Sequence, residues 1–254
     1  MSADSGTGIQ SVSRAVSILR CFAGNKELGL TEISKKLGLH KSTASGIIAT
    51  LKREGFIEQN EQTGKLRMGI DLFSLAMSAC RGLDEICEPH LNKLLELTGE
   101  TVNLAILSRD RVVFIAKKES AHSVRIGTSV GIQLPIHCTA VGKAMLAVMD
   151  REKVEKMIDD LQMMPFTNKT ITSRARLLEE LDMIESEGIA CDIEEYEPGV
   201  ICVAAPLCSM PNNPVGAISV SGPAMRMDAR ARRNISAILR NTTVEISERL
   251  SCLG

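Results

Sequence analysis

The sequence of 254 residues has no tryptophan, one tyrosine and five phenylalanines. Intrinsic fluorescence is therefore not expected to report on ligand binding. The sequence also has no apolar run near the roughly 20 residues that a membrane-spanning helix needs. Its first ten residues, MSADSGTGIQ, lack the basic and apolar regions of a secretory signal. We expect a cytoplasmic protein without a membrane partner.

The cysteines and histidines lack the spacing of a metal site or of a disulfide framework. The eight cysteines form no CxxC pair, and the four histidines do not complete a ligand set with them. The cysteines are therefore expected to be reduced thiols, mostly buried. Neither a metal ion nor another cofactor is predicted. The cysteines lie at positions 21, 80, 87, 138, 191, 202, 208 and 252.

Charge is distributed unevenly along this chain, whose net charge is -1. Residues 1–69 contain 10 Lys and Arg residues against 6 Asp and Glu residues, and the remainder contains 20 against 25. With 44% hydrophobic residues, the chain is long enough to form two domains with separate cores. The basic amino-terminal part is the better candidate for contact with a polyanion.

The amino-terminal part begins with two predicted helices. The stretch from Ile9 to Phe22 places Val12, Val16 and Leu19 at helical spacing, and GNKELG then ends the pattern. These apolar residues, with Phe22, are the predicted buried face of the first helix.

A second short helix is predicted after the GNKELG stretch. Its apolar face is formed by Leu30, Ile33 and Leu37, and Thr31 is the predicted N-cap. Gly38 ends this helix, in the left-handed position that glycine adopts at little cost.

The third segment, HKSTASGIIATLKREGFI, predicts a helix with an outer face of small, polar and basic residues. Its buried face is formed by Ala44, Ile47, Ile48 and Leu51. Such a helix fits a major groove about 12 Å wide and presents donors near its amino end. The outer face consists of Lys41, Ser42, Thr43, Ser45, Gly46 and Ala49.

Two short alternating runs around a Gln-Thr-Gly turn, in FIEQNEQTGKLRMG, predict a β-hairpin that carries Lys65 and Arg67. Three helices followed by this hairpin make a winged helix-turn-helix over residues 1–69, with the two basic residues as phosphate contacts. The alternative is a helix-turn-helix that serves only protein interaction. A salt titration distinguishes the two, because phosphate contacts weaken steeply with salt.

The remainder predicts a linker helix over residues 70–83 and an α/β domain over residues 84–254. Helix EICEPHLNKLLELTG is followed by predicted strands TVNLAIL, RVVFIAKKE and HSVRIGTSV, and a long helix ends the chain. Three further segments suggest one shared pocket: a turn leading into a helix at 131–147, an acidic turn joined to an apolar strand at 188–207, and a strand with two serines on one side at 215–223.

With these segments in this order, the chain resembles the isocitrate lyase regulator (IclR) family of bacterial transcription factors over nearly its whole length. The strings that carry the resemblance are SVSRAVSILRCF, the helix-turn-helix, LPIHCTAVGKAMLA, FTNKTITSRARLLEEL, DIEEYEPGVICVAAP and AISVSGP. It implies a winged helix-turn-helix, a linker helix and an α/β effector-binding domain similar to the GAF fold. It also implies a homodimer or homotetramer on palindromic double-stranded DNA operators, modulated by a small metabolite that is often a carboxylic acid. A repressor is the expected form.

Two sets of site residues are predicted, the DNA contacts from the exposed helix face and the basic hairpin, and the effector contacts from the resemblance. Free N–H groups at the start of a helix and serine hydroxyls suit a ligand carboxylate, which supports the second set independently. Ser45 and Gly46 depart from the bulky or basic pair that many relatives carry at these positions. The predicted DNA contacts are Arg14, Lys41, Ser42, Thr43, Ser45, Lys65 and Arg67. The predicted effector contacts are Ala140, Val141, Asp192, Val200, Cys202, Ser219 and Ser221.

Alternatives remain for each of these assignments. Asp192 can instead cap a turn, Cys202 can be a core thiol, and the two serines can satisfy neighbouring backbone groups. An enzyme with Cys202 or Cys138 as nucleophile and His137 as base is disfavoured, because adjacent strand residues point to opposite faces. The GKA at 142–144 lacks the pattern of a P-loop, which disfavours nucleotide hydrolysis. A DNA-binding architectural protein that ignores ligands is the third possibility.

Overall fold

The structure is a computed structural model that describes residues 9–22, 25–72, 74–75 and 82–251. The chain divides into two compact units between Gly82 and Leu83. No helix within the described ranges combines the length and the apolarity that crossing a membrane requires. Most of the predicted linker helix over 70–83 lies outside the described residues, which omit 73 and 76–81.

The amino-terminal unit is a winged helix-turn-helix, as predicted. Its core is formed by apolar residues from all three helices and from both strands of the hairpin. Strand β1 pairs antiparallel with β2, and Ile57 lies opposite Met68. The elements are α1 (Gln10–Arg20), α2 (Leu30–Leu37), α3 (Lys41–Arg53), β1 (Ile57–Gln59) and β2 (Leu66–Met68).

The first helix buries only part of the predicted face: Phe22 is buried and Leu19 packs against the core, but Val12 and Val16 are not buried. Val12 and Val16 are 57% and 41% exposed, whereas Ile18 is fully buried with Cys21 and Phe22. Both sets of residues have helical spacing, so periodicity alone cannot choose between them. The neighbouring helices and the hairpin decide, because the α1 residues in this core come from its carboxy-terminal half and the residues that follow it.

The start of α2 also differs from the prediction. Gly29 is the N-cap in an extended conformation, and its N–H donates to the carboxylate of Glu32. Thr31 is not the cap, because the helix begins one residue earlier, at Leu30, and the Glu32 carboxylate takes over the capping of the amino end. Gly38 does end the helix in the left-handed conformation, at φ 63°.

The carboxy-terminal unit is an antiparallel sheet with helices on both faces. The described strands form one sheet in the order β5-β4-β3-β8-β7-β6. A 3-10 turn at Ala224–Arg226 follows the last strand. The elements in chain order are α4 (Leu83–Thr98), β3 (Thr101–Ser108), β4 (Arg111–Lys118), β5 (Gln133–Pro135), α5 (Ala140–Ala147), α6 (Arg151–Asp159), α7 (Arg174–Glu187), β6 (Ala190–Ile193), β7 (Val200–Met210), β8 (Asn213–Pro223) and α8 (Ala229–Ser251).

The two faces of the sheet bury different kinds of side chain. Large branched residues such as Ile218 and Val220 pack against α4 and α8. The opposite face carries small residues such as Ala204 and Ala217 beneath α5, α6 and α7. Because side chains alternate along a strand, the serines between the branched residues of β8 lie on the second face. Small residues there leave room between the sheet and its covering elements.

The predicted strand HSVRIGTSV at 122–130 is absent, and this part of the chain has no regular secondary structure. The edge of β4 pairs with β5 instead, through residues 111–113. The alternating segment is held by side chains rather than by a backbone ladder: Thr101 donates to the carbonyl of Ile126, and Lys117 donates to the carbonyl of Thr128. Alternation alone therefore gave a wrong prediction.

Glycine at position 142 allows α5 to pack closely on the chain that precedes it. A Cβ atom at Gly142 would lie 2.6 Å from the Cα atom and 2.8 Å from the carbonyl carbon of Ile136. Both atoms belong to the backbone, so a side-chain movement cannot relieve the overlap.

We expect Gly142→Ala to reduce the stability of the carboxy-terminal unit by about 1–3 kcal/mol, the usual cost of overpacking a core. Gly127→Ala is the matched control, because a Cβ atom there meets nothing within 4 Å. Thermal unfolding followed by circular dichroism measures both. Equal midpoints for the two variants would contradict the close packing of α5.

Candidate functional site: a cavity on the sheet and an exposed recognition helix

Polar side chains form a row across three strands on the small-residue face of the sheet. Asp192 on β6 pairs with Cys202 on β7, which pairs with Ser221 on β8. Residues directly opposite each other in neighbouring strands lie on the same face. Ser219, two residues before Ser221, adds a second hydroxyl to that face. Four of the predicted effector contacts are therefore neighbours by strand register.

These residues line a cavity of about 220 Å³. All seven predicted effector contacts line it, although they come from α5, β6, β7 and β8. We call this space the sheet cavity. Its lining consists of Phe114, Arg125, Ile126, Gly127, Thr128, Ile132, Leu134, Thr139, Ala140, Val141, Asp192, Tyr196, Glu197, Val200, Cys202, Ser219 and Ser221.

The first turn of α5 forms one wall of the sheet cavity. Thr139 is the N-cap, but its side chain does not cap the helix and instead donates to the carbonyl of Pro135 at 2.7 Å. The first N–H groups of a helix have no partner inside the helix, and they carry partial positive charge. Ala140 and Val141 belong to this turn, so the wall favours an anionic group.

Asp192 is 3% exposed and faces the sheet cavity with little solvent around it. Burial raises the pKa of this carboxyl to about 7. Its Oδ1 accepts the backbone N–H of Glu195 at 2.7 Å, so Asp192 does cap a turn, as one alternative held. Capping and lining the cavity are compatible, because a carboxylate has two oxygens.

A fully buried ammonium lies behind this wall. Lys143 on α5 is 0% exposed, and its Nζ lies 3.0 Å from Glu180 on α7 and 2.5 Å from Glu195. Burial alone would lower the pKa of Lys143, but the Glu195 carboxylate raises it above its usual value. The Lys143–Glu195 ion pair thus connects α5, which begins at the cavity, with the acidic turn around Glu195. Tyr196 and Glu197 of this turn also line the cavity.

The thiols near the cavity do not have the environment of nucleophiles. Burial raises the pKa of Cys138 to about 12, and burial likewise raises the pKa of Cys202. Nε2 of His137 lies 3.1 Å from the carbonyl oxygen of Met164, so this nitrogen donates to a backbone acceptor. Reactive cysteines require a lowered pKa, and the surroundings instead favour a packing role for both thiols.

Sequence reasoning missed several residues that line the cavity, including Phe114, Arg125, Thr128 and Tyr196. Two of them belong to the segment that was wrongly predicted as a strand. Tyr196 is the single tyrosine of the chain, and its ring lies 5.0 Å from that of Phe166. Tyrosine emission is therefore placed to report on the cavity, contrary to the expectation from composition.

The exposed face of α3 matches the prediction. Lys41, Ser42, Ser45 and Gly46 are exposed and Thr43 is half-buried, while Ala44, Ile48 and Leu51 are buried and Ile47 is partly buried against the same core. No acidic residue lies in the first turn of α3. This leaves a helix amino end with free N–H groups and a lysine, an arrangement that suits phosphate.

The other predicted DNA contacts have varied surroundings. Lys65 is exposed at the hairpin turn, and Arg14 on α1 is half-buried. Arg67 on β2 forms an ion pair with Glu58 at 3.0 Å, which partly neutralises its charge. The structure places these residues within the amino-terminal unit, and their roles in DNA binding stay predictions.

Comparison with known proteins identifies the chain's relatives. The profile of the IclR helix-turn-helix domain matches residues 11–61, and that of the bacterial transcriptional regulator IclR C-terminal family matches residues 78–248. The chain belongs to the IclR family. It is a DNA-binding transcriptional regulator with the fold that the sequence resemblance implied.

Two curated IclR-family regulators resemble most of the chain. The HTH-type transcriptional regulator BhcR of Paracoccus denitrificans (strain Pd 1222) is 36% identical over 239 residues, which cover 93% of this chain and 85% of that protein. The transcriptional repressor IclR of Escherichia coli (strain K12) is 32% identical over 224 residues, covering 86% of this chain and 82% of that protein. Neither name describes an enzyme.

One solved structure shows the same fold. The crystal structure of an IclR homolog from Microbacterium hydrocarbonoxydans, complexed with 4-hydroxybenzoate, has a TM-score of 0.84 at 22% identity. The alignment covers 96% of this chain and 100% of that chain. At this identity, the likeness establishes the shared IclR-family fold.

Gly46 in α3 of this IclR-family protein faces open space, because an added Cβ atom there would meet nothing within 4 Å. We expect Gly46→Ala to stabilise the amino-terminal unit by about 0.5–1 kcal/mol, because glycine is unfavourable inside a helix. If the backbone approaches DNA closely here, the variant binds operator DNA more weakly. Ala49→Gly, which makes the reverse change on the same exposed face, is the control. It is expected to be less stable than wild type. Unchanged operator affinity in fluorescence anisotropy would contradict the close approach.

Asp192→Asn tests the electrostatics of the sheet cavity. The folded-state pKa of about 7 lies above the ordinary value of 3.8, so the folded state binds more protons between these pH values. Wild-type stability from this group is therefore lost as the pH rises from 4 to 7. We expect the free energy of unfolding of the variant, relative to wild type, to rise by up to about 4 kcal/mol across that range.

Denaturant unfolding at pH values from 4 to 8, followed by tyrosine emission, measures this difference. The variant Asp160→Asn, at an exposed position of the same unit, is the control for the loss of one carboxyl. A constant difference between Asp192→Asn and wild type at all pH values would show that the Asp192 carboxyl titrates normally.

Proposed function

We propose that this IclR-family regulator is a sequence-specific repressor whose operator binding is modulated by a small carboxylate metabolite held in the sheet cavity. The observation that carries the proposal is the convergence of seven residues from separate elements on one cavity beside the amino end of α5. That wall offers unpaired N–H donors to an anion. Ser219 and Ser221 add hydroxyl donors from the facing strand.

The DNA-binding part of the proposal depends on the exposed face of α3 and on the hairpin. We propose Lys41, Ser42, Thr43 and Ser45 as contacts from α3, with Arg14, Lys65 and Arg67 as backbone contacts. A palindromic operator and a homodimer or homotetramer follow from the family resemblance. The name of the Escherichia coli relative supports repression.

Ligand control requires only a modest coupling between the two sites. A coupling free energy of about 1–3 kcal/mol changes operator affinity by roughly 5- to 150-fold. We propose the domain division 1–69, 70–83 and 84–254, with the middle part as the connection through which the coupling passes. The homolog complexed with 4-hydroxybenzoate supports a small acid as the ligand class.

Footprinting of the full-length protein tests the DNA-binding proposal. The probe is the DNA upstream of the protein's own gene and of its neighbours, at two salt concentrations. We expect a protected, roughly palindromic site that weakens with salt, because phosphate contacts release counterions. Absence of protection at both salt concentrations, with a folded and oligomeric protein, would instead favour a protein-interaction role.

Titration calorimetry with a panel of acids tests the ligand proposal. The panel contains propionate, lactate, benzoate and 4-hydroxybenzoate, each with its carboxamide as an uncharged counterpart. We expect at least one acid to bind more tightly than its carboxamide and to change the footprint. Equal affinity within every acid and carboxamide pair would contradict the anion-binding wall.

A further inference from the structure

A buried amide lies directly behind the sheet cavity. Asn103 on β3 is 0% exposed and is not among the residues that line the cavity, yet it bonds to two residues that do. Thr128 Oγ1 donates to Asn103 Oδ1 at 2.6 Å, and Asn103 Nδ2 donates to Ser221 Oγ at 3.4 Å. The amide thus connects strand β8 to segment 119–132, the irregular stretch between β4 and β5.

These two bonds determine how each hydroxyl can bond inside the cavity. A hydroxyl has one proton to donate and two lone pairs. Thr128 commits its proton to Asn103, so it can offer the cavity only a lone pair. Ser221 accepts from Asn103, so its own proton is free to point elsewhere, toward the neighbouring Cys202 sulfur or toward a ligand in the cavity. One amide therefore makes one hydroxyl an acceptor and the other a donor.

A second bond of the same kind strengthens this pattern. The hydroxyl of Thr139 donates to the carbonyl of Pro135, so Thr139 also offers only a lone pair to the cavity. Donors that line the cavity include Ser219, Ser221, Arg125, Tyr196 and the first-turn N–H groups of α5. Acceptors include the two threonine hydroxyls and the carboxyls of Asp192 and Glu197. A ligand that pairs with both sets carries an anionic acceptor and a separate donor.

We infer that Asn103 is a positioning residue that sets the hydrogen-bond polarity of the sheet cavity and so selects small hydroxy acids over acids without a hydroxyl. The inference depends on the proposed effector function and refines its ligand class. The carboxylate faces Ser221 and the start of α5. The ligand hydroxyl donates to Thr128 or to Asp192.

The charged groups around Asn103 come from every neighbouring element. Lys117 on β4 is its direct partner across the strands and lies 3.4 Å from Glu119. On the other side, β8 contributes the neutral Ser219 at the paired position. Asp192 on β6 and Arg125 of segment 119–132 line the cavity itself. The raised pKa of Asp192 is present in wild type as well, so the test compares a variant with wild type at each pH.

Asn103→Asp reverses the polarity in a pH-dependent manner. At low pH the introduced carboxyl is protonated and can donate to Ser221 as the amide does. At higher pH it is ionised and accepts from both hydroxyls, which turns the Ser221 proton away from the cavity. Burial raises the pKa of such a carboxyl above its ordinary value. The ratio of variant to wild-type affinity for lactate and 4-hydroxybenzoate should therefore fall about ten- to a hundred-fold between pH 5 and pH 9.

Calorimetry and tyrosine emission measure these affinities, with the exposed Asn241→Asp as a control for one added negative charge. Asn241 lies on the surface of α8, so its ratio is expected to stay constant with pH. A constant ratio for Asn103→Asp as well, in a wild type that binds acids, overturns the inference and leaves the proposed function intact. A wild type that binds none of the acids overturns both.

A second variant keeps the inference testable if Asn103→Asp does not fold. Thr128→Val removes the acceptor and keeps the shape of the side chain. We expect it to abolish the preference for lactate over propionate and for 4-hydroxybenzoate over benzoate, with less change for the acids that lack a hydroxyl. An equal loss for both members of each pair would show a structural role only and would overturn the inference.

Discussion

The buried ammonium of Lys143 is the interaction on which the carboxy-terminal unit depends. It joins α5 to α7 through Glu180 and to the acidic turn through Glu195. Removing one partner from a buried ion pair costs about 3–5 kcal/mol, because the other charge is left without compensation. Since α5 begins at the sheet cavity and the acidic turn lines its far side, this ion pair holds two walls of the cavity at a defined separation.

The sheet supports this arrangement through the size of its side chains. Branched residues on one face pack against α4 and α8 and provide the stable core. Alanines and serines on the other face leave the space that the cavity occupies. The hydroxyls of Ser221 and Thr128 are held by the Asn103 amide, and that of Thr139 by the carbonyl of Pro135, so these three have defined partners before a ligand enters. Such preorganisation lowers the entropy that binding must overcome.

Much of the fold follows from patterns within single segments. Ala44, Ile48 and Leu51 are buried because their spacing matches one face of a helix, and the two serines of β8 share a face because strand side chains alternate. The prediction for Val12 failed where two patterns were equally regular, and the prediction for segment 122–130 failed because alternation alone does not produce a paired strand. In both places, tertiary contacts decided the outcome.

The site was only partly accessible from the sequence. The seven effector contacts were assigned from the family resemblance, and the structure brings them together at one cavity. Asn103 and Ser221 are 118 positions apart and meet only through the register of β3 and β8. No local pattern marks such a pair, and Thr128 was concealed in a segment that was predicted as a strand.

Reciprocal binding tests the central claim most directly. The affinity for operator DNA is measured with and without a saturating panel acid, and the affinity for the acid is measured with and without operator DNA. Thermodynamic linkage requires the same factor in both directions. The account predicts one factor between roughly 5 and 150, found in both measurements. Operator affinity that does not change when the acid fills the cavity would contradict it.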